Sequence, residues 1–123
     1  MKLSISNIAW DLSEENKVMD IMRSYNLNGI EIAPTKLWEI PIDLSDQTIT
    51  DYLKKTESFG LRIVAMQSLL FNRNDLCIFA DQDSREKTYE YLCGMIQLAA
   101  RIGAKNLVFG SPKKSKNRRF KSK

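Results

Sequence analysis

Short apolar runs alternate along this chain with longer segments in which apolar residues return every three or four positions. The runs fall at 3–8, 29–33, 61–67 and 106–109, and their length predicts strands. Between them, three segments have helical spacing. The first begins near Ser13 or Glu14, with Asp11 or Ser13 as its cap and Val18, Ile21, Met22 and Tyr25 as its apolar face. The second covers 47–58, with Ile49, Tyr52 and Leu53 on one side. The third starts at Asp83 or Ser84, where Asp83 and Glu86 have capping-box spacing, and its stripe is Tyr89, Leu92, Cys93, Ile96 and Ala99. Each helix runs into the next strand through a glycine, Gly29, Gly60 or Gly103. Glycine is expected there because it takes the left-handed conformation at a helix end without a Cβ clash. Met19, Met22, Met66 and Met95 read as core filler.

Strand and helix in alternation, ending on a fourth strand, predict an α/β fold with a parallel sheet. With strand order 1-2-3-4, right-handed crossovers put all three helices on one side. That is half of a TIM-type (β/α)8 barrel, whose usual length is ~250 residues. Residues 1–112 form this unit, with no linker dividing it. Parallel folds place their chemistry at the C-terminal ends of the strands. Four clusters fall there: Trp10-Asp11, Ala33-Pro34-Thr35-Lys36, Gln67-Ser68 and Gly110-Ser111-Pro112-Lys113. Long loops at 35–46, carrying Trp38, and at 68–82, carrying Phe71, follow the second and third strands.

Charge changes the picture only at one end. The net charge is +4, but seven basic residues and no acid lie after Pro112. Without them, 12 basic residues stand against 15 acidic ones, a net −3. The basic character therefore belongs to the tail, 113–123, whose composition is that of a disordered segment. Binding of nucleic acid is not expected from the mildly acidic remainder. No apolar run approaches the ~20 residues of a membrane span, so no membrane partner is expected. The N-terminus is too short and polar for a signal peptide. Cys77 and Cys93 fit no metal or redox spacing and read as reduced thiols, pointing to the cytoplasm.

Asn28-Gly29-Ile30-Glu31-Ile32, Gly60-Leu61-Arg62-Ile63-Val64 and 98–108, Leu-Ala-Ala-Arg-Ile-Gly-Ala-Lys-Asn-Leu-Val, resemble the sugar phosphate isomerase/epimerase family of xylose-isomerase-like TIM barrels. The opening 3–10, the segment 64–71 and the segment 108–113 fit the same picture. The resemblance covers residues 1 to about 113 and only the N-terminal half of such a barrel. It implies carbohydrate isomerisation or epimerisation by proton transfer beside a carbonyl. It also implies a divalent metal, held in full-length relatives by acidic and histidine side chains from later strands. This chain has no histidine. It is therefore expected to hold no metal or other cofactor and, as a truncated unit, to be inactive alone. No residue is assigned a catalytic role.

The substrate-binding candidates are Trp10, Glu31, Gln67, Ser68, Gly110 and Ser111. If Ile30 and Ile32 face the helices, alternation points Glu31 to the opposite side, where it binds substrate, acts as a base, or pairs structurally with Arg62. Gln67 and Ser68 offer an amide and a hydroxyl to sugar hydroxyls. Gly110 and Ser111 either cradle a phosphate or carbonyl with their backbone or simply form a turn. Lys36 and Lys113 either meet an anionic substrate or stand solvated. Trp10, Trp38 and Phe71 either stack on a sugar face or pack the loops. A Ser-His-Asp set and a P-loop are excluded. The expected ligand is a sugar or sugar phosphate. A different class of function is an assembly module, a half-barrel that pairs with a second copy or a complementing half. A third, relation to metal-dependent abasic-site endonucleases, draws only on the basic tail.

Overall fold

The computed structural model describes residues 2–110. Ser111, Lys113 and the rest of the basic tail lie outside the described residues. Strands β1 (Ser4–Ser6), β2 (Gly29–Ile32), β3 (Arg62–Met66) and β4 (Asn106–Leu107) form a four-stranded sheet in the order β1-β2-β3-β4. Every neighbouring pair is parallel. Helix α1 (Glu15–Ser24) links the first two strands. The second crossover holds a one-turn helix, α2 (Pro34–Leu37), and then α3 (Asp46–Ser58). Helix α4 (Gln82–Ile102) makes the third. The protein is thus an α/β fold with a parallel sheet in sequence order.

The register sorts the strand residues into two faces. Ile5, Ile30 and Ile63 lie side by side, as do Ile32, Met66 and Leu107. Ile30, Ile32, Ile63 and Met66 share one core with Met19 and Met22 of α1, Ile49 of α3, and Tyr91, Met95, Leu98 and Ile102 of α4. The four methionines named above are all buried, as core filler should be. The opposite face carries Ser4, Ser6, Gly29, Glu31, Arg62, Ala65 and Asn106. A register shift between Ile30 and Glu31 leaves Val64 unpaired, and its methyl groups lie over Gly29. Gly29 is required there: a Cβ would come within 2.9 Å of Ser4 Cβ.

Several expectations need correction. The first strand ends at Ser6, because Asn7 turns the chain into a 3₁₀ turn over Asn7–Ala9. A second 3₁₀ turn, Leu12–Glu14, precedes α1, and neither Asp11 nor Ser13 caps the helix through its side chain. Helix α4 begins one or two residues earlier than expected, at Gln82. Asp81, not Asp83, is its cap, accepting from the Ser84 N–H at 2.9 Å. Gly60 and Gly103 do end helices with positive φ, but at the first junction Asn26 takes that conformation and Gly29 is a strand residue. Asparagine can do so because its short polar side chain tolerates the left-handed region.

Two helix faces are rotated from the expected ones. Met19 and Met22 face the core in α1, while Ile21 and Tyr25 are exposed. In α4 the buried stripe is Thr88, Tyr91, Met95, Leu98, Ala99 and Ile102; Tyr89 and Ile96 face solvent. Glu15, 5% exposed, is held by Tyr52 Oη at 3.0 Å and Lys55 Nζ at 2.5 Å, which ties α1 to α3. Burial, and then this carboxylate, push the Tyr52 phenol well above the ordinary tyrosine range.

Candidate functional site

Each strand leaves the sheet at its C-terminal edge through a segment with a different task. After β1, Asn7 is fully buried and its Oδ1 accepts from the Ala33 N–H at 2.8 Å. That bond locks the end of β1 to the end of β2. It also fixes the amide orientation, so Nδ2 is the free donor. Trp10 follows the 3₁₀ turn and is 7% exposed, within the core.

After β2, Pro34 occupies the first position of α2, where its missing N–H is no loss. The single turn swings Lys36 back over the first segment. Its Nζ donates to the Asn7 carbonyl at 2.7 Å and to the Trp10 carbonyl. Lys36 is therefore not a solvated loop lysine: it is half-buried and clips two strand-end segments together. Three buried polar atoms on these segments have no hydrogen-bond partner among the described residues: Asn7 Nδ2, Trp10 Nε1 and Thr35 Oγ1.

After β3, the Gln67 N–H donates to the Ile32 carbonyl at 2.9 Å, continuing the ladder by one residue. Its side-chain Nε2 donates to Ser6 Oγ across β2. Ser68 then takes a left-handed conformation, φ +54°, and its carbonyl accepts from the Phe71 N–H at 3.0 Å. A non-glycine residue in that region is strained, and such residues gather at ligand sites and turns. Leu69, Leu70 and Leu76 anchor the loop in the core, while Phe71 is exposed.

Glu31 lies on β2 between Ser6 and Ala65 in the register, on the face away from the core. It is half-buried, it is the only carboxylate on the four strands, and its side chain has no hydrogen bond or ion pair with a described residue. The expected pairing with Arg62 does not occur: Arg62 is exposed and aligned with Gly29.

The sheet thus brings Glu31 and Gln67 together with Ser6, and sets Ser68 beside Gln67. Trp10 belongs to the neighbouring Asn7–Lys36 cluster and presents no open ring face. Trp38 packs edge-on against Tyr52, with ring centroids 5.4 Å apart. Gly110 is exposed, and among the described residues no atom beyond its chain neighbours lies within 4 Å of the Cβ it lacks, so no close approach among them explains this glycine. Ser111 lies outside the described residues. Ser6 and Asn7 escaped the sequence reading. The signal for Asn7 was a polar residue inside the run 3–8, which marks an early strand end.

The resemblance implies a divalent metal, and the residues described here do not fit one. Among them no three His, Cys, Asp or Glu side chains come together, whereas a catalytic zinc takes about three protein ligands. Cys77 and Cys93 are both half-buried, and among the described residues no helix is long and apolar enough to cross a membrane.

No protein-family model and no curated protein matches the chain.

Proposed function

We propose that the protein is a sugar- or sugar-phosphate-binding α/β unit of the isomerase/epimerase type, arranged as part of a TIM-type barrel and working in the cytoplasm. One observation carries this reading. A carboxylate with no partner among the described residues, Glu31, sits beside a Ser6–Gln67 hydrogen bond on the polar face of a parallel sheet, towards its C-terminal edge. A sugar presents adjacent hydroxyls, each a donor and an acceptor. Ser6 and Gln67 supply both kinds of group, and Glu31 accepts. A free carboxylate is also the group that takes a proton from a carbon beside a carbonyl. This face holds one such group, so the expected activity is binding, with at most proton exchange at that carbon.

The test is calorimetric titration with aldose and ketose monophosphates, followed by deuterium exchange at the carbon beside the carbonyl. Saturable binding is expected, weakened roughly two- to tenfold in Gln67→Ala, the range for one lost hydrogen bond. Any exchange should vanish in Glu31→Gln. No saturable binding, or affinity untouched in both variants, refutes the reading.

A second reading, assembly with another copy, draws on a separate observation. Apolar side chains are exposed along both outer strands: Leu3, Ile5 and Ile8 beside β1, and Val108 and Phe109 just past β4. Unpaired parallel edges flanked by apolar groups invite a further strand. Two copies joined β4 to β1 through a two-fold axis would satisfy all four edges in one closed barrel.

A further inference from the structure

We infer that the outward flanks of α1 and α4 are the two halves of one docking surface, and that its occupant is a second copy of this chain joined head to tail. The inference deepens the assembly reading above and rests on it: the outer strands bring two copies together, and the helix flanks decide how they meet. Among the described residues, β1 and β4 each pair with one strand only. Contacts fix which flank of each end helix meets α3. In α1, the Arg23 guanidinium lies 5.7 Å from the centre of the Phe59 ring, just past the end of α3. In α4, Arg101 donates to Asp46 Oδ1 at 2.6 Å, and a Cβ on Gly94 would meet Ile42, on the segment before α3, at 2.7 Å. Successive helical residues turn by about 100°, so Ile21 and Tyr25 lie roughly 160° round α1 from Arg23. By the same count Tyr89 and Ile96 lie about 120–160° round α4 from Arg101 and Gly94. All four are exposed, and the half-buried Val18 and Leu92 continue the same flanks towards the core. The two flanks fall on opposite sides of their helices' buried stripes, as the two ends of one layer require. The sheet below ends in the same way, with Leu3 and Ile5 exposed at β1 and Phe109 just past β4.

The occupant follows from what each end lacks. The β1 end offers a free parallel strand edge and an apolar helix flank, and the β4 end offers the same two. Each end therefore complements the other, and a second copy supplies both. Head-to-tail contacts of this kind either close into a ring or run on as a filament. Two copies bring eight strands, the number that closes a parallel (β/α) barrel, so the contact closes at two. The large apolar side chains exposed at the two ends offer on the order of 1,000 Å² per copy, against the ~800 Å² that one partner of a stable complex buries. Joining like ends would place one β1 edge on another and leave both β4 ends open.

Charge tests the pairing. Ile21 and Ile96 are 47% and 60% exposed, so Ile21→Lys and Ile96→Glu leave the core of a single copy intact. Light scattering after size exclusion should give twice the chain's mass for the parent. Each variant alone buries an unpaired charge at both contacts of the dimer and should weaken association roughly a hundredfold or more. An equimolar mixture should restore the dimer, because one contact then sets the opposite charges together and the other keeps both isoleucines. Native mass spectrometry with one variant ¹⁵N-labelled should show that the restored species holds one chain of each. Lys54→Glu, at an exposed position of α3, should change nothing. Tyr25→Lys and Tyr89→Glu, at still more exposed positions, repeat the test should an isoleucine variant lose its helical circular dichroism. A parent dimer that both variants leave unchanged overturns the flank pairing, while assembly through the strand edges stands. So does a dimer weakened by only one of the two variants, which joins like ends, or a mixture that stays monomeric. A parent that is itself monomeric overturns both and leaves the two ends to a different chain.

Discussion

Replacing Gly29 by alanine puts a methyl group where the sheet has no room. The new Cβ would lie 2.9 Å from Ser4 Cβ and 3.1 Å and 3.4 Å from the two Val64 methyls. Carbon pairs rest at about 3.5–4.0 Å, so the closest pair must separate by roughly 0.6 Å or more. Neither neighbour yields easily. Ser4 Cβ is fixed by the β1 backbone, and Val64 is β-branched and stiff at χ1. Overpacking of this kind costs about 1–3 kcal/mol. Against it, alanine lowers the entropy of the unfolded chain, which is worth about 0.4–1 kcal/mol. The net loss is about 1–2 kcal/mol, and for a domain of this size the melting temperature should fall by roughly 5–10 °C. Thermal unfolding followed by circular dichroism measures it. Ser4→Gly removes the closest contact, so Gly29→Ala should be milder in that background, with a coupling of about 1 kcal/mol. Gly110→Ala is the control, because no atom of the described residues beyond its chain neighbours lies within 4 Å of the added Cβ. A Gly29→Ala protein that melts at or above the parent temperature refutes the steric account and the placement of Val64 over Gly29.

The half-buried Tyr52 phenol should make the fold sensitive to alkali. Its pKa is raised on folding, so the native state holds this proton more tightly than the unfolded chain. The associated stability is complete below the unfolded tyrosine pKa near 10 and declines as pH rises above it. Denaturant titrations between neutral and strongly alkaline pH should show that decline reduced in Tyr52→Phe; equal slopes would contradict the linkage. Glu15→Gln should destabilise by about 1–3 kcal/mol, less than the ~3–5 for a fully buried pair, because the Lys55 side chain remains 35% exposed. A double-mutant cycle with Lys55→Met, read by urea midpoints, checks that the loss is shared between these two residues. If two copies pair edge to edge, light scattering after size exclusion should give twice the chain's mass, and Ile5→Glu should return the monomer. A monodisperse parent monomer with slowly exchanging β1 and β4 amides removes the assembly reading.

The order of elements was legible in the chain because it rests on local physics. Short apolar runs and three- to four-residue spacing marked out four strands and three long helices, and the methionines fell in the core as expected. Gly60 and Gly103 could be placed because a left-handed helix end is a property of a single residue. The orientation of Glu31 followed from alternation with Ile30 and Ile32. What depends on a neighbouring element was not legible. Two apolar stripes run along α4, and only packing against β3 and α3 chose Tyr91, Met95 and Leu98 over Tyr89 and Ile96. Asn26 displaced Gly29 from the first helix end, and Gly29 became indispensable for a different reason, the approach of Ser4 and Val64 from either side. The Asn7–Lys36 clip joins residues 29 apart through a side chain and a carbonyl, with no trace in periodicity. The Gln67–Ser6 bond spans 61 residues and exists because β1, β2 and β3 are adjacent and in that register. Local preference could name the elements; the site is made of long-range bonds, and those form only once the sheet has set its register.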